Sequence, residues 1–211
     1  AGTYDIDYVS AISDPAVEAT DCGALTVFFP DDPPANNGQT PLLGDKALLA
    51  YLQQPGIKPD GRMANRLAVI AGLKERVGER KLVEGWIEGP CAEDADLRGI
   101  NNLMLDFYDD PDFVEQLFEF VLATELDFAA AQVAAGADLI GIGDAAASLV
   151  GPHVYEQFVW PLEQRMVAGV HRLGAKVRLH ICGNTRRILE GMGKLGCEIV
   201  DLDFLTPLDE G

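Results

Sequence analysis

The segment Lys176–Asn184, KVRLHICGN, sets a histidine and a cysteine two residues apart at the end of an otherwise apolar run. In an extended strand His180 and Cys182 point the same way, about 6–7 Å apart along the chain, close enough to grip one ion from two sides. Imidazole and thiolate together suit zinc, whereas copper beside free thiols invites redox chemistry. H-x-C arises by chance in many chains, and a packed histidine beside a small apolar cysteine is its commoner meaning. The position at a strand end, with Gly183 and Asn184 opening the next element, favours the metal.

Carboxylates stand at comparable places. Asp144, in GIGDAAAS, ends the preceding strand and can be an acid near the site or the N-cap of the following segment. Glu84 and Glu88, in EGWIEGP, can orient a ligand or approach the metal. Asp144 and Glu84 are the candidate catalytic residues, Glu88 and Asn184 the candidate cofactor-contacting ones, and His180 and Cys182 the candidate metal ligands. Asp201 and Asp203 can bind polar substrate atoms or be solvated loop carboxylates. Cys91 reads as a buried thiol and Cys197 as core. Tyr155, Phe158 and Trp160 have helical spacing and read as packing residues, and His153 and His171 read as surface or cap residues.

The elements that must position these groups alternate. Strands are expected over 81–88, 137–144, 175–182 and 197–204, and helices over 61–78, 94–111, 112–136, 151–174 and 184–196. Phe113, Leu117, Phe120 and Val121 form one helical stripe. Three of the strands follow a helix ending in glycine. Earlier, YDIDYVSAI and ALTVFFP read as strands and DPPANNGQTP as a loop. Repeated helix-then-strand order argues for parallel strands with right-handed crossovers, in a (β/α)8 barrel or an open doubly wound sheet.

Period-2 alternation chooses between them. Val177, Leu179 and Ile181 share one face while Arg178, His180 and Cys182 share the other; Val83 and Ile87 oppose Glu84, Trp86 and Glu88; Asp144 falls on the Ile140 and Ile142 face. A sheet covered on both sides wants both faces apolar. Polar groups at successive strand ends fit a barrel mouth. The expectation is an α/β (β/α)8 TIM barrel in one domain over residues 1–211, with about five or six strands in hand, hence incomplete and trimmed at both ends.

Composition narrows the partners. The 211 residues are 48% hydrophobic and carry a formal net charge of −18, so nucleic acid phosphates and anionic membranes would be repelled. No apolar run reaches the roughly 18 residues of a membrane span and no signal core opens the chain, so a cytoplasmic location is expected. Four scattered cysteines point to free thiols or metal ligands rather than a disulfide framework.

The runs EGWIEGP, GADLIGIGDAAASLVGPHVYEQFVWPLEQRMV and HICGN resemble the uroporphyrinogen decarboxylase superfamily of (β/α)8 barrels over most of the chain. Within it, H-x-C-G is similar to the methylcobamide:coenzyme M methyltransferase branch rather than to the decarboxylases. The resemblance implies a zinc ion held by His180, Cys182 and a second cysteine in a Gly-Cys-Glu context on a late strand. Gly196-Cys197-Glu198 imitates that context only fifteen residues after Cys182 and at the wrong end of a strand, so the third ligand is expected beyond residue 211. The implied activity moves a methyl group from a methyl-Co(III) corrinoid (cobalamin), carried by a partner protein, to a thiol such as coenzyme M or to a folate. The alternatives are a uroporphyrinogen decarboxylase, for which Arg178 is the clearest mouth-facing cation, and a non-catalytic metal- or corrinoid-binding relative.

Overall fold

The computed structural model describes residues 6–12 and 14–207. Its sheet has five parallel strands in chain order, β1 (Tyr8–Ser10), β4 (Leu82–Glu88), β5 (Leu139–Gly143), β6 (Lys176–His180) and β7 (Ile199–Asp201), each hydrogen-bonded to the next. A separate antiparallel pair, β2 (Thr26–Val27) and β3 (Ala35–Asn36), lies between β1 and β4 in sequence. Parallel neighbours in sequence order, each joined through helices, make this a partial (β/α)8 barrel.

The helices fall between the strands: α1 (Val17–Cys22) and α2 (Arg62–Val77) before β4, then α3 (Pro90–Arg98), α4 (Ile100–Asp109) and α5 (Pro111–Ala134) before β5. Short α6 (Pro152–Val154) and α7 (Trp160–Arg172) precede β6, and α8 (Leu189–Gly193) precedes β7. The three joints read as glycine-terminated helices are built so, with Gly136, Gly174 and Gly196 at φ of 112°, 87° and 85°, a left-handed turn that glycine adopts without steric cost.

Register sorts the residues into two faces. Val83, Ile87, Ile140, Ile142, Val177, Leu179 and Ile181 are fully buried towards the helices. They pack in one core with Val114, Leu117, Phe118 and Val121 of α5 and Met166, Val167 and Val170 of α7. On α5 the buried stripe keeps Phe113, Leu117 and Val121, while Phe120 is only half-buried. The opposite, interior face carries Tyr8, Ser10, Glu84, Trp86, Glu88, Gly141, Gly143, Arg178, His180 and Asp201.

Where β1 ends, Gln132 of α5 takes over its pairing duty. The Trp86 backbone N–H donates to Gln132 Oε1 at 2.8 Å, and Gln132 Nε2 donates to the Trp86 carbonyl at 2.8 Å. The side-chain amide thus satisfies backbone groups that would otherwise be orphaned inside the protein. Gly85 is what lets it in: a Cβ there would stand 2.3 Å from Gln132 Oε1.

Several expected elements are shorter or different. The first strand keeps only Tyr8–Ser10, its residues 4 and 5 lying outside the described residues, and the last only Ile199–Asp201. The stretch read as a loop supplies β3. The helix expected over 184–196 is only Leu189–Gly193, because residues 186–188 form a turn in which the Ile188 N–H donates to the Thr185 carbonyl at 2.9 Å. The helix expected over 151–174 is interrupted by a π-helical turn at Tyr155–Val159, immediately ahead of Pro161, whose missing N–H and ring disfavour a regular turn. Gly99, at φ 84°, breaks 94–111 into α3 and α4.

Candidate functional site

On the interior face the most ordered feature is a fork. Arg178 donates from Nε to Asp201 Oδ1 and Oδ2 at 3.1 and 2.9 Å and sets Nη2 2.7 Å from Oδ2. Its Nη1 donates to Glu84 Oε1 at 3.2 Å and to the Tyr8 hydroxyl at 3.0 Å. Strands β1, β4, β6 and β7 are thereby tied through one guanidinium, whose pKa is raised chiefly by its hydrogen bonds to Asp201. One step nearer the strand ends, His180 Nδ1 lies 3.0 Å from Asp201 Oδ2, and the imidazole side chain is 40% exposed.

Trp86 forms the wall beside the imidazole, its ring centroid 6.3 Å from that of His180 at an interplanar angle of 55°. The indole rests on β5, where only glycine fits: a Cβ at Gly141 would meet Trp86 Cε3 at 2.2 Å and one at Gly143 would meet Cζ2 at 2.8 Å. Trp86 Nε1 donates to Glu88 Oε1 at 3.3 Å.

Cys182 follows β6, half-buried. The loop behind it is pinned by Asp203, whose carboxylate accepts from the Gly183 and Leu205 N–H groups at 2.9 Å each. Those backbone bonds, Gly183 first, hold the Asp203 pKa below its ordinary value. Asp203 therefore shapes the loop.

The carboxylates divide. Glu84 is on the interior face but fully buried and committed to Arg178, one layer beneath His180. Asp144 takes the N-cap role that its sequence position also allowed. It lies on the helix side of the sheet, accepts from Ala92 N–H at 2.7 Å and Cys91 N–H at 3.3 Å, and so caps α3. Burial pushes its carboxyl up to about 7, and beside it Glu163 accepts the Tyr155 hydroxyl at 2.5 Å. Asn184 is also redirected: it is exposed and its Oδ1 accepts from Arg186 N–H at 3.3 Å, a local turn contact. Glu88 stays on the interior face beside Trp86, but burial first and Glu18 second push its carboxyl well up.

Cys91, Trp160, His153 and His171 sit as expected, whereas Cys197, expected in the core, is only partly buried against it. Cys91 is fully buried. Cys197 is half-buried before β7, at the far end from His180, with its thiol pushed up to about 12 by burial. Trp160 packs against the core and donates to the Gly191 carbonyl at 2.9 Å. His153 and His171 are exposed, the latter 3.2 Å from Glu198.

His180 and Cys182 supply two donors of the kind zinc takes, while among the described residues no group of three His, Cys, Asp or Glu side chains is placed to hold a metal ion. The donor types fit; the set needs further ligands to be tetrahedral. No helix among the described residues is long and apolar enough to cross a membrane.

A parallel barrel-type sheet with its charged groups and His180 on the interior face is the class that fold and site define. The chain belongs to the uroporphyrinogen decarboxylase (URO-D) family, whose model matches residues 2–211. It is 34% identical over 134 residues to the methylcobamide:CoM methyltransferase MtaA of Methanosarcina barkeri, covering 63% of this chain and 39% of that protein. It is 27% identical over 210 residues to the uroporphyrinogen decarboxylase of Frankia casuarinae, covering 98% of this chain and 50% of that one. A solved methyltransferase from Methanosarcina mazei superposes with a TM-score of 0.81 at 26% identity, covering 93% of this chain and 57% of its own. The chain thus spans half or less of the length of these curated relatives.

Proposed function

We propose that the protein is a zinc-dependent corrinoid methyltransferase, transferring a methyl group from a methyl-Co(III) corrinoid on a partner protein to a thiol or folate acceptor, and that residues 1–211 belong to one barrel domain. The observation that carries this reading is His180 at the C-terminal end of β6, on the face where Arg178 and Asp201 also gather, with Cys182 two residues further on. The methyltransferase relatives support it.

His180 and Cys182 would hold the zinc with donors from outside the described set, and when bound the ion lowers the pKa of an acceptor thiol so that a thiolate exists at neutral pH. The rest falls to this chain. Asp201 and Arg178 hold the imidazole, Asp203 fixes the loop bearing Cys182, and the Trp86 indole keeps water from one side of His180.

A uroporphyrinogen decarboxylase is the second reading, favoured by the Frankia relative's match over nearly the whole chain. It would need cations free to take the carboxylates of a tetrapyrrole. Arg178, the interior cation nearest the mouth, is already committed to Asp201 and Glu84.

Metal analysis and two assays separate these. The purified protein should carry stoichiometric zinc that His180→Ala or Cys182→Ala removes, and should methylate a thiol from methylcobalamin. Decarboxylation of uroporphyrinogen by a zinc-free protein would overturn the proposal.

A further inference from the structure

Asp201 was a candidate substrate contact on sequence alone, yet its carboxylate is engaged by the protein: Oδ2 lies 2.7 Å from Arg178 Nη2, 2.9 Å from Arg178 Nε and 3.0 Å from His180 Nδ1, and Oδ1 accepts from Arg178 Nε at 3.1 Å. An ionised carboxylate can only accept hydrogen bonds, and Arg178 can only donate. Nδ1 of His180 must therefore be the nitrogen that carries the proton in this contact. We propose that Asp201 is a positioning residue which, anchored by Arg178, locks His180 in the Nδ1–H tautomer and leaves the Nε2 lone pair free for a ligand.

The chain of constraint runs back through the sheet. Arg178 cannot swing, because its other end donates to Tyr8 on β1 and to fully buried Glu84 on β4. Its planar fork fixes the orientation of the Asp201 carboxylate as well as its place. Register adds to this, since His180 and Asp201 are direct neighbours across the β6–β7 pair and Arg178 lies two residues earlier on the same face. An imidazole with free torsion and two tautomers would divide its lone pair between Nδ1 and Nε2. Here one arrangement is selected before any ligand arrives, and partners of this kind orient metal-bound histidines and strengthen their basicity.

Asp201→Ala distinguishes this from a merely structural role. Without the carboxylate nothing holds Nδ1, and the proton is free to sit on either ring nitrogen. The direct readout is long-range 1H–15N NMR of the imidazole nitrogens of His180 in the protein without added metal. At a pH where the ring is neutral the wild type should show protonated Nδ1 alone and Asp201→Ala a mixture of both tautomers. Zinc affinity by chelator competition should fall about 10–100-fold in Asp201→Ala. Arg178→Lys, which keeps the charge and loses the fork, should also show both tautomers.

A wild type with protonated Nε2, or an Asp201→Ala variant that keeps Nδ1 alone protonated, overturns the proposal. The consequence for zinc rests on the function proposed above, whereas the tautomer does not. A protein with the expected Nδ1–H signal that binds no zinc would sink the metal reading and leave the lock standing, and full zinc affinity with a displaced proton would do the reverse.

Discussion

Glu18 of α1, Glu88 at the end of β4, Glu93 of α3 and Glu125 of α5 are all buried, and the groups that act most strongly on them, apart from burial itself, include one another. Burial is the first cause of the upward shift in each; for Glu18 it carries the carboxyl from 4.5 to about 8. The sign follows from linkage. A carboxyl raised in the native state keeps a proton that the unfolded chain has lost. Its contribution to stability is therefore full below the unfolded value and is lost as pH climbs to the folded one. For Glu18 that window is from 4.5 to about 8. Within it one extra native proton costs about 1.4 kcal/mol per pH unit, so roughly 3 kcal/mol between about pH 5 and about pH 7.5. Glu18→Gln keeps the shape and removes that proton. Urea unfolding across this range should give a stability curve for the variant that falls less steeply than the wild type's by about that slope. Parallel curves would mean that Glu18 is ionised in the folded protein, and the account of a neutral acid cluster would be wrong.

Gly141→Ala puts a methyl group where the Trp86 ring lies. It should destabilise the protein by about 1–3 kcal/mol through overpacking and alter the emission of one of its two tryptophans; wild-type melting and fluorescence would refute the glycine floor. Asp144→Ala strips two acceptors from the α3 N-terminus and should cost about 1–2 kcal/mol without lowering zinc content, whereas loss of metal at unchanged stability would return Asp144 to the site.

What was legible in the sequence followed the periods of regular structure. Alternation along β6 separates Val177, Leu179 and Ile181 from Arg178, His180 and Cys182, and the parallel register keeps that division. The same rule already set Asp144 on the face of Ile140 and Ile142. Its place at a strand end suggested chemistry, while its direction pointed to the helix layer, and direction prevailed. Glu125 was also visible in principle, four residues after Val121 on the stripe through Phe113 and Leu117, an acid where the pattern calls for an apolar side chain. The fork from Arg178 to Tyr8, Glu84 and Asp201 was not legible, because it joins strands far apart in sequence and depends on their stagger. Of the antiparallel pair, β2 lies within the strand read over 24–30, while β3 was hidden by Pro33, Pro34 and Gly38, residues that mark loops more often than strands.

Gln132 gives the outer layer a hand on the inner one. Because its amide grips both backbone polar groups of Trp86, the axial setting of a 24-residue helix is keyed to the residue whose ring stands beside His180. A shift of α5 by one position would replace that amide with Val133 or Ala131, neither of which can bond the strand. Substitutions far out on α5 that change its seating can thus reach the imidazole with no contact of their own, carried by a single side-chain clasp.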